Sequence, residues 1–124
     1  MAQMMKRSLV MTLMAVVLLM GMAASAFASS QNYQFNYNGS YHAHSSSYIA
    51  GPAEVDGGNV TITLTGNYFP QVNVGGVSYY GTYSSTTNLT TITFPGDTSA
   101  NVDLTLYVVA GPHSTSYNLE LEWL

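Results

Sequence analysis

The side chains of this sequence best suited to hold a metal or a ligand are three histidines and one tyrosine: His42, His44, His113 and Tyr117. His42 and His44 stand two residues apart, so an extended backbone would put both imidazoles on one side. Joined by a third ligand from His113, they would suit zinc or copper. The competing reading is an exposed polar loop, since Ser45, Ser46 and Ser47 follow directly. His113 and Tyr117 belong to the last stretch of the chain, where Gly111-Pro112 breaks an apolar run and strict alternation begins. On a strand that alternation puts His113, Tyr117, Leu119, Leu121 and Trp123 on one face and Asn118, Glu120 and Glu122 on the other. The first face thus offers two leucines and a tryptophan to a core, with an imidazole and a phenol at its open end. The second face reads as solvated, its carboxylates serving solubility and edge protection rather than acid-base chemistry. No Ser-His-Asp spacing, Gly-rich phosphate loop or metal-hydrolase motif is present, so an enzyme is not expected.

The beginning of the chain is of a different kind. Lys6 and Arg7 precede an apolar run from Leu9 to Met22, and Ala26-Phe27-Ala28 forms a small-x-small site before Ser29. That is the three-part pattern of a secretory signal peptide, with an apolar run short for a membrane span. The expected organisation is a leader over residues 1–28, cleaved near Ala28, and one domain over residues 29–124. Localisation would then be secreted, extracellular or at the cell surface. All seven Met and both cations of the chain fall in the leader, so the remainder has no Lys, no Arg and no Met. Without the two cations the formal charge moves from −4 to −6, carried by Glu54, Asp56, Asp97, Asp103, Glu120 and Glu122. A domain with no cation cannot neutralise phosphates, which argues against nucleic acid and against anionic membranes as partners. Cysteine is absent as well, so the fold must rest on its core alone.

Turn signals about every ten residues divide the domain into seven or eight short strands. Residues 31–41 alternate Tyr33, Phe35 and Tyr37 with amides and read as a first strand ending near Gly39. The segment from Tyr41 to Ile49 reads as a loop or a single short helical turn. Val60, Ile62 and Leu64 alternate with threonines in the clearest strand of the chain. Asn67 to Pro70 makes a corner, and residues 71–74 and 77–83 form strands around Gly75-Gly76. Ile92 and Phe94, then Leu104, Leu106 and Val108, supply further inward faces. The architecture expected is an antiparallel β-sandwich of immunoglobulin-like type. Ten tyrosines exceed what a small core needs. Most suit half-buried strand positions, while Tyr79, Tyr80 and Tyr83, near a Gly-rich bend, could also line a pocket rim or stack on a sugar.

Two segments together resemble the NEAT (near iron transporter) domains, extracellular haem-binding β-sandwiches of bacterial iron uptake. The first is Ser45-Ser-Ser-Tyr48-Ile-Ala-Gly-Pro52-Ala-Glu-Val55, similar to the family's Ser-rich short helix and its aromatic-x-x-x-Pro-Ala-x-Val lead-in to the second strand. The second is His113-Ser-Thr-Ser-Tyr117, where the family usually carries Tyr-x-x-x-Tyr. The resemblance implies a haem cofactor, with the iron ligand at His113 in place of the usual tyrosine and Tyr117 as its hydrogen-bond partner or as the alternative ligand. It also implies a distal lip in which Ser45, Ser46 and Tyr48 contact the ligand and His44 or His42 could reach the iron as a sixth ligand. The exchange of Tyr for His is chemically sensible, because imidazole holds both ferric and ferrous iron whereas a tyrosinate favours ferric. The family's use of cations for the haem propionates cannot be repeated here. The function implied is haem capture or relay, with another haem carrier or surface protein as a possible partner. A NEAT-like structural or adhesive module without haem is the alternative, alongside the histidine metal site.

Overall fold

The computed structural model describes residues 29–124, and the expected leader lies outside them. Eleven strands and one helical turn follow in order: β1 (Ser29–Gln31), β2 (Tyr33–Tyr37), β3 (Ser40–Tyr41), α1 (Ala43–Ser46), β4 (Ala53–Asp56), β5 (Asn59–Thr65), β6 (Gln71–Val74), β7 (Val77–Tyr80), β8 (Thr82–Ser84), β9 (Leu89–Pro95), β10 (Val102–Ala110) and β11 (His113–Trp123). They form two antiparallel sheets, ordered β1-β4-β5-β9-β8 and β3-β2-β11-β10-β6-β7. Period-2 alternation produces this directly, because each strand must bury one face and leave the other to water.

In the first sheet, Val60, Ile62 and Leu64 of β5 lie opposite Phe94, Ile92 and Thr90 of β9, and all six are buried. The outward threonines pair too, Thr61 Oγ1 lying 2.8 Å from Thr93 Oγ1. The second sheet supplies Phe35, Val72, Leu104, Leu106, Leu119 and Leu121 to the same core. At one end of the sandwich the Trp123 indole N–H donates to the carbonyls of Asp97 (3.0 Å) and Ala100 (2.9 Å), pinning the turn before β10. Asp97 stabilises that turn by accepting from the backbone and hydroxyl of Ser99, which holds its exposed carboxyl below the usual carboxylate range.

The all-β antiparallel sandwich expected from the alternation is the one observed, and the 41–49 segment adopts the short helical turn. The strands are more numerous than seven or eight because the chain divides at three further places. The first is residues 31–41, which fold back on themselves: Asn38 and Gly39 both take positive φ, 52° and 80°, and make a two-residue hairpin between β2 and β3. Residues 77–83 divide at Gly81, where the chain leaves the second sheet and joins the first. A Cβ there would meet the Phe69 carbonyl oxygen at 2.7 Å, and the Gly81 N–H donates to Pro70 O at 2.9 Å. Only glycine lets the two backbones approach so closely. Finally, Asn32 separates β1, which pairs β4, from β2, which pairs β11.

Tyr33 shows what the core costs a polar group. Its ring packs edge-to-face on Phe35 (5.6 Å between centroids) and Trp123 (6.4 Å), while its buried hydroxyl meets no hydrogen-bond partner among the described residues. Burial pushes its phenol well above the ordinary tyrosine value. The folded state therefore keeps a proton that the unfolded chain releases in alkali. Stability is whole below the unfolded value of about 10 and declines as pH rises past it, by up to about 1.4 kcal/mol per pH unit. Urea midpoints are expected to fall more steeply above pH 10 in the native chain than in Tyr33→Phe. At pH 7 the variant should match the native chain or exceed it, since an unpartnered buried hydroxyl costs about 1–3 kcal/mol. A variant clearly less stable at pH 7 would show that the hydroxyl is satisfied.

Candidate functional site

The end of the sandwich remote from Trp123 is built by two elements. One is the β10–β11 hairpin, paired from Val102↔Leu121 to Ala110↔His113. Its core-side face carries Leu104, Leu106, Leu119 and Leu121, which are buried, and then runs outward through Tyr117, Val108, Thr115 and His113 as burial fades. The Val109 N–H donates to Tyr68 O at 2.8 Å, fixing the hairpin to the 67–70 corner.

The other element is the lip formed by α1 and the residues after it. His42 caps α1, its Nδ1 accepting from the Ser45 N–H at 3.3 Å and lying 2.7 Å from Ser45 Oγ. Ser45 is only 6% exposed. Ser46 Oγ accepts from Phe35 N at 3.0 Å and donates to Phe35 O at 3.3 Å, tying the lip to β2. On the far side Thr65 N donates to Tyr48 O at 2.8 Å and Ala50 N to Thr63 O at 2.9 Å, tying it to β5. The lip is thus stitched to both sheets, so α1 holds its shape although four residues are too few for a stable isolated helix.

Between these elements runs a continuous series of aromatic and imidazole rings. Tyr117 meets Tyr37 (6.4 Å between centroids) and His42 (6.0 Å), and Tyr37 meets His42 at 5.5 Å. His42 then meets His44 (6.3 Å), His44 meets Tyr48 (5.7 Å), and Tyr48 meets both Tyr68 (6.2 Å) and Phe69 (5.2 Å). The structure therefore gathers Tyr117, His42, His44 and Tyr48 from the sequence-derived set and adds Tyr37, Tyr68 and Phe69. Tyr37 was traceable through the β2 alternation, but its meeting with Tyr117 depends on β2 lying beside β11. Nothing in the corner sequence marked Tyr68 and Phe69.

The other sequence-derived residues are placed differently. His113 is exposed at the hairpin tip and takes no part in these ring contacts. It shares the face of Tyr117, but four residues at about 3.3 Å each put the two Cα atoms roughly 13 Å apart. The hydroxyls of Ser45 and Ser46 are engaged in holding the lip. Among the described residues no three His, Asp or Glu side chains converge on a metal position, so His42, His44 and His113 do not assemble a zinc or copper site. With His42 Nδ1 accepting from Ser45, the neutral ring carries its proton on Nε2 and is a donor there. Ligation through Nε2 would break the cap bond.

No family model matches the chain, and the curated proteins yield no match. Solved structures do match. The NEAT5 domain of IsdX2, a B. anthracis hemophore in complex with heme, superposes with a TM-score of 0.63 over 77% of this chain and 93% of its own, at 14% identity. A mutant of that domain, also in complex with heme, gives 0.63 over 77% and 92%, at 12% identity. This is a NEAT-like fold. In these NEAT-like terms the hairpin and the lip are the two segments on which the resemblance in sequence rests.

The capping role of His42 has a measurable consequence. His42→Ala should lower stability by about 0.5–2 kcal/mol, the usual cost of losing a helix cap, whereas His42→Asn keeps an acceptor and should recover most of it. Urea denaturation of the three proteins decides this, and equal losses in both variants would contradict the capping assignment.

Proposed function

We propose that the chain is a secreted haem-binding module for haem capture or relay, with the ligand held between the β10–β11 hairpin and the α1 lip. The observation that carries the reading is the run of rings between hairpin and lip, set at the end of a NEAT-like sandwich where half-buried Tyr117 and exposed His113 share one face. A porphyrin is flat and apolar with a Lewis-acidic centre, so it asks for apolar or aromatic walls and one or two nitrogen or oxygen donors. Partly buried Val108 and Tyr48 provide the first, and His113 and Tyr117 the second. Bound haem would supply an iron that accepts such a donor. That His113 and Tyr117 lie roughly 13 Å apart along the strand suits a ligand lying flat along the hairpin, over Thr115 and Val108.

His113 is the iron ligand in this reading, and Tyr117 backs it or replaces it. His44 and Tyr48 face the ligand from the lip, and Ser45 and Ser46 set the lip's position. The domain has no Lys or Arg, so propionates would point to solvent or meet neutral donors. Such a module binds and passes on its ligand without chemistry, to another haem carrier or a surface protein. Export by the leader over residues 1–28 fits that role. Among the described residues no helix is long and apolar enough to cross a membrane. The NEAT-like sandwich as a structural or adhesive module without haem is the second reading, and the isolation of the His113 ring from the aromatic cluster is what favours it.

Titration of the protein with hemin is expected to give a saturable, shifted Soret band at one equivalent. The His113→Ala, Tyr117→Ala double variant should lose at least the roughly 10–100-fold in affinity that removing even an outer-shell partner costs a metal site. Reduction with dithionite separates the ligands, because an imidazole-bound band survives it and a phenolate-bound one does not. A native protein at micromolar concentration with no saturable band would end the haem reading and leave the structural one.

A further inference from the structure

The outer face of the second sheet holds a groove of about 470 Å³, on the side of β10 and β11 away from the core. That volume lies in the range of roughly 300–1,000 Å³ typical of small-molecule sites. Strand register arranges its polar residues in two rows. One row runs Asn36, Glu120, Asp103 across β2, β11 and β10; the next runs Asn118, Thr105, Asn73 across β11, β10 and β6. All six line the groove. Thr105 Oγ1 donates to Asn118 Oδ1 at 2.9 Å.

From this face we propose a second binding site, for a neutral glycan chain. Asn36 is spent within the face, and the Oδ1 atoms of Asn118 and Asn73 accept from Thr105 and the Gly76 N–H. The amide N–H groups of Asn118 and Asn73 and the carboxylates of Glu120 and Asp103 are left to meet the hydroxyls of a sugar, each of which both donates and accepts. The same register puts tyrosines around the rows on the outer face. Tyr41 lies opposite Asn36 and is 59% exposed, Tyr80 lies opposite Gln71 and is 71% exposed, and half-buried Tyr107 sits two residues beyond Thr105 on β10. None of the three lines the groove itself, but a chain longer than the groove would run onto the exposed rings of Tyr41 and Tyr80 at the outer strands of this face, and a tyrosine ring is a platform for the C–H face of a pyranose.

Charge selects the class of glycan and argues against a cation. Two of the carboxylates on this face are already held by amides. Asn36 Nδ2 donates to Glu120 at 3.1 Å and to Glu122 at 2.7 Å, and Gln34 Nε2 donates to Glu122 at 3.1 Å. Asn36 itself is only 6% exposed, so the amide–carboxylate framework is rigid. No group of three potential metal ligands occurs among the described residues. With no Lys or Arg in residues 29–124, uronate and sulfated chains would be repelled, whereas neutral hexose or N-acetylhexosamine chains would not.

The site is on the opposite side of the sheet from the His113 and Tyr117 face assigned to haem, so the two can be tested separately. In native gels cast with soluble neutral polysaccharides (a β-glucan, a galactomannan, a xylan) or with polygalacturonate, the chain should be retarded by at least one neutral polymer and not by the acidic one. The Asn73→Ala, Asn118→Ala double variant should lose about tenfold in affinity, two hydrogen bonds being worth about that much, with its circular dichroism and its response to hemin unchanged. The proposal fails if no neutral polymer retards the chain, if only polygalacturonate does, or if the double variant is retarded as strongly as the native protein. Retardation that disappears with EDTA and returns with calcium would reassign the face to a cation and equally overturn it.

Discussion

The antiparallel ladder between β10 and β11 is the contact on which the remaining architecture depends. Nine cross-strand pairs join its two strands from Val102↔Leu121 to Ala110↔His113. Because side chains alternate, this one ladder does three things at once. At one end its inner face is core, where Leu104, Leu106, Leu119 and Leu121 meet the first sheet. Toward its tip the same face runs past the core, and its Tyr117 meets the rings of Tyr37 and His42. Its outer face carries the polar rows that reach into β2 and β6. A slip of one residue in register would exchange core and surface along its whole length, so burial of the four leucines fixes the position of every other side chain on the ladder.

The ring cluster depends on a second constraint, the anchoring of the lip. Four helical residues have no stability of their own. The polar residues that make the lip look like a binding segment in sequence are largely occupied in building it: His42 with Ser45, Ser46 with the backbone of Phe35, Ser47 with the carbonyl of His44. What faces the hairpin is a set of rings.

Much of this was legible in the sequence. Alternation in residues 60–64, 90–94, 102–109 and 113–123 names the inward residues of β5, β9, β10 and β11 one by one, because a strand with one wet face leaves no other assignment. The Gly-Pro break before His113 located the hairpin for the same reason. Less legible were the divisions of the strands. Gly81 as the point of passage between sheets depends on the close approach of Phe69 and Pro70, residues from another part of the chain. Within the site, Tyr117 was readable from alternation and Tyr48 only through the resemblance to the NEAT domains, while Tyr37, Tyr68 and Phe69 joined them only through packing.

The sequence by itself thus determined the class of fold, the cation-free character of the domain, and the face on which each strand residue lies, since all three follow from composition and a period of two. Tertiary structure decided which of those faces come together. It set Tyr37, His42 and Tyr117 in contact across three segments, left His113 at the solvent end of its strand, and aligned amides from β2, β6 and β11 into rows. Such juxtapositions arise from strand order and register between segments far apart in the chain, which local pattern does not encode.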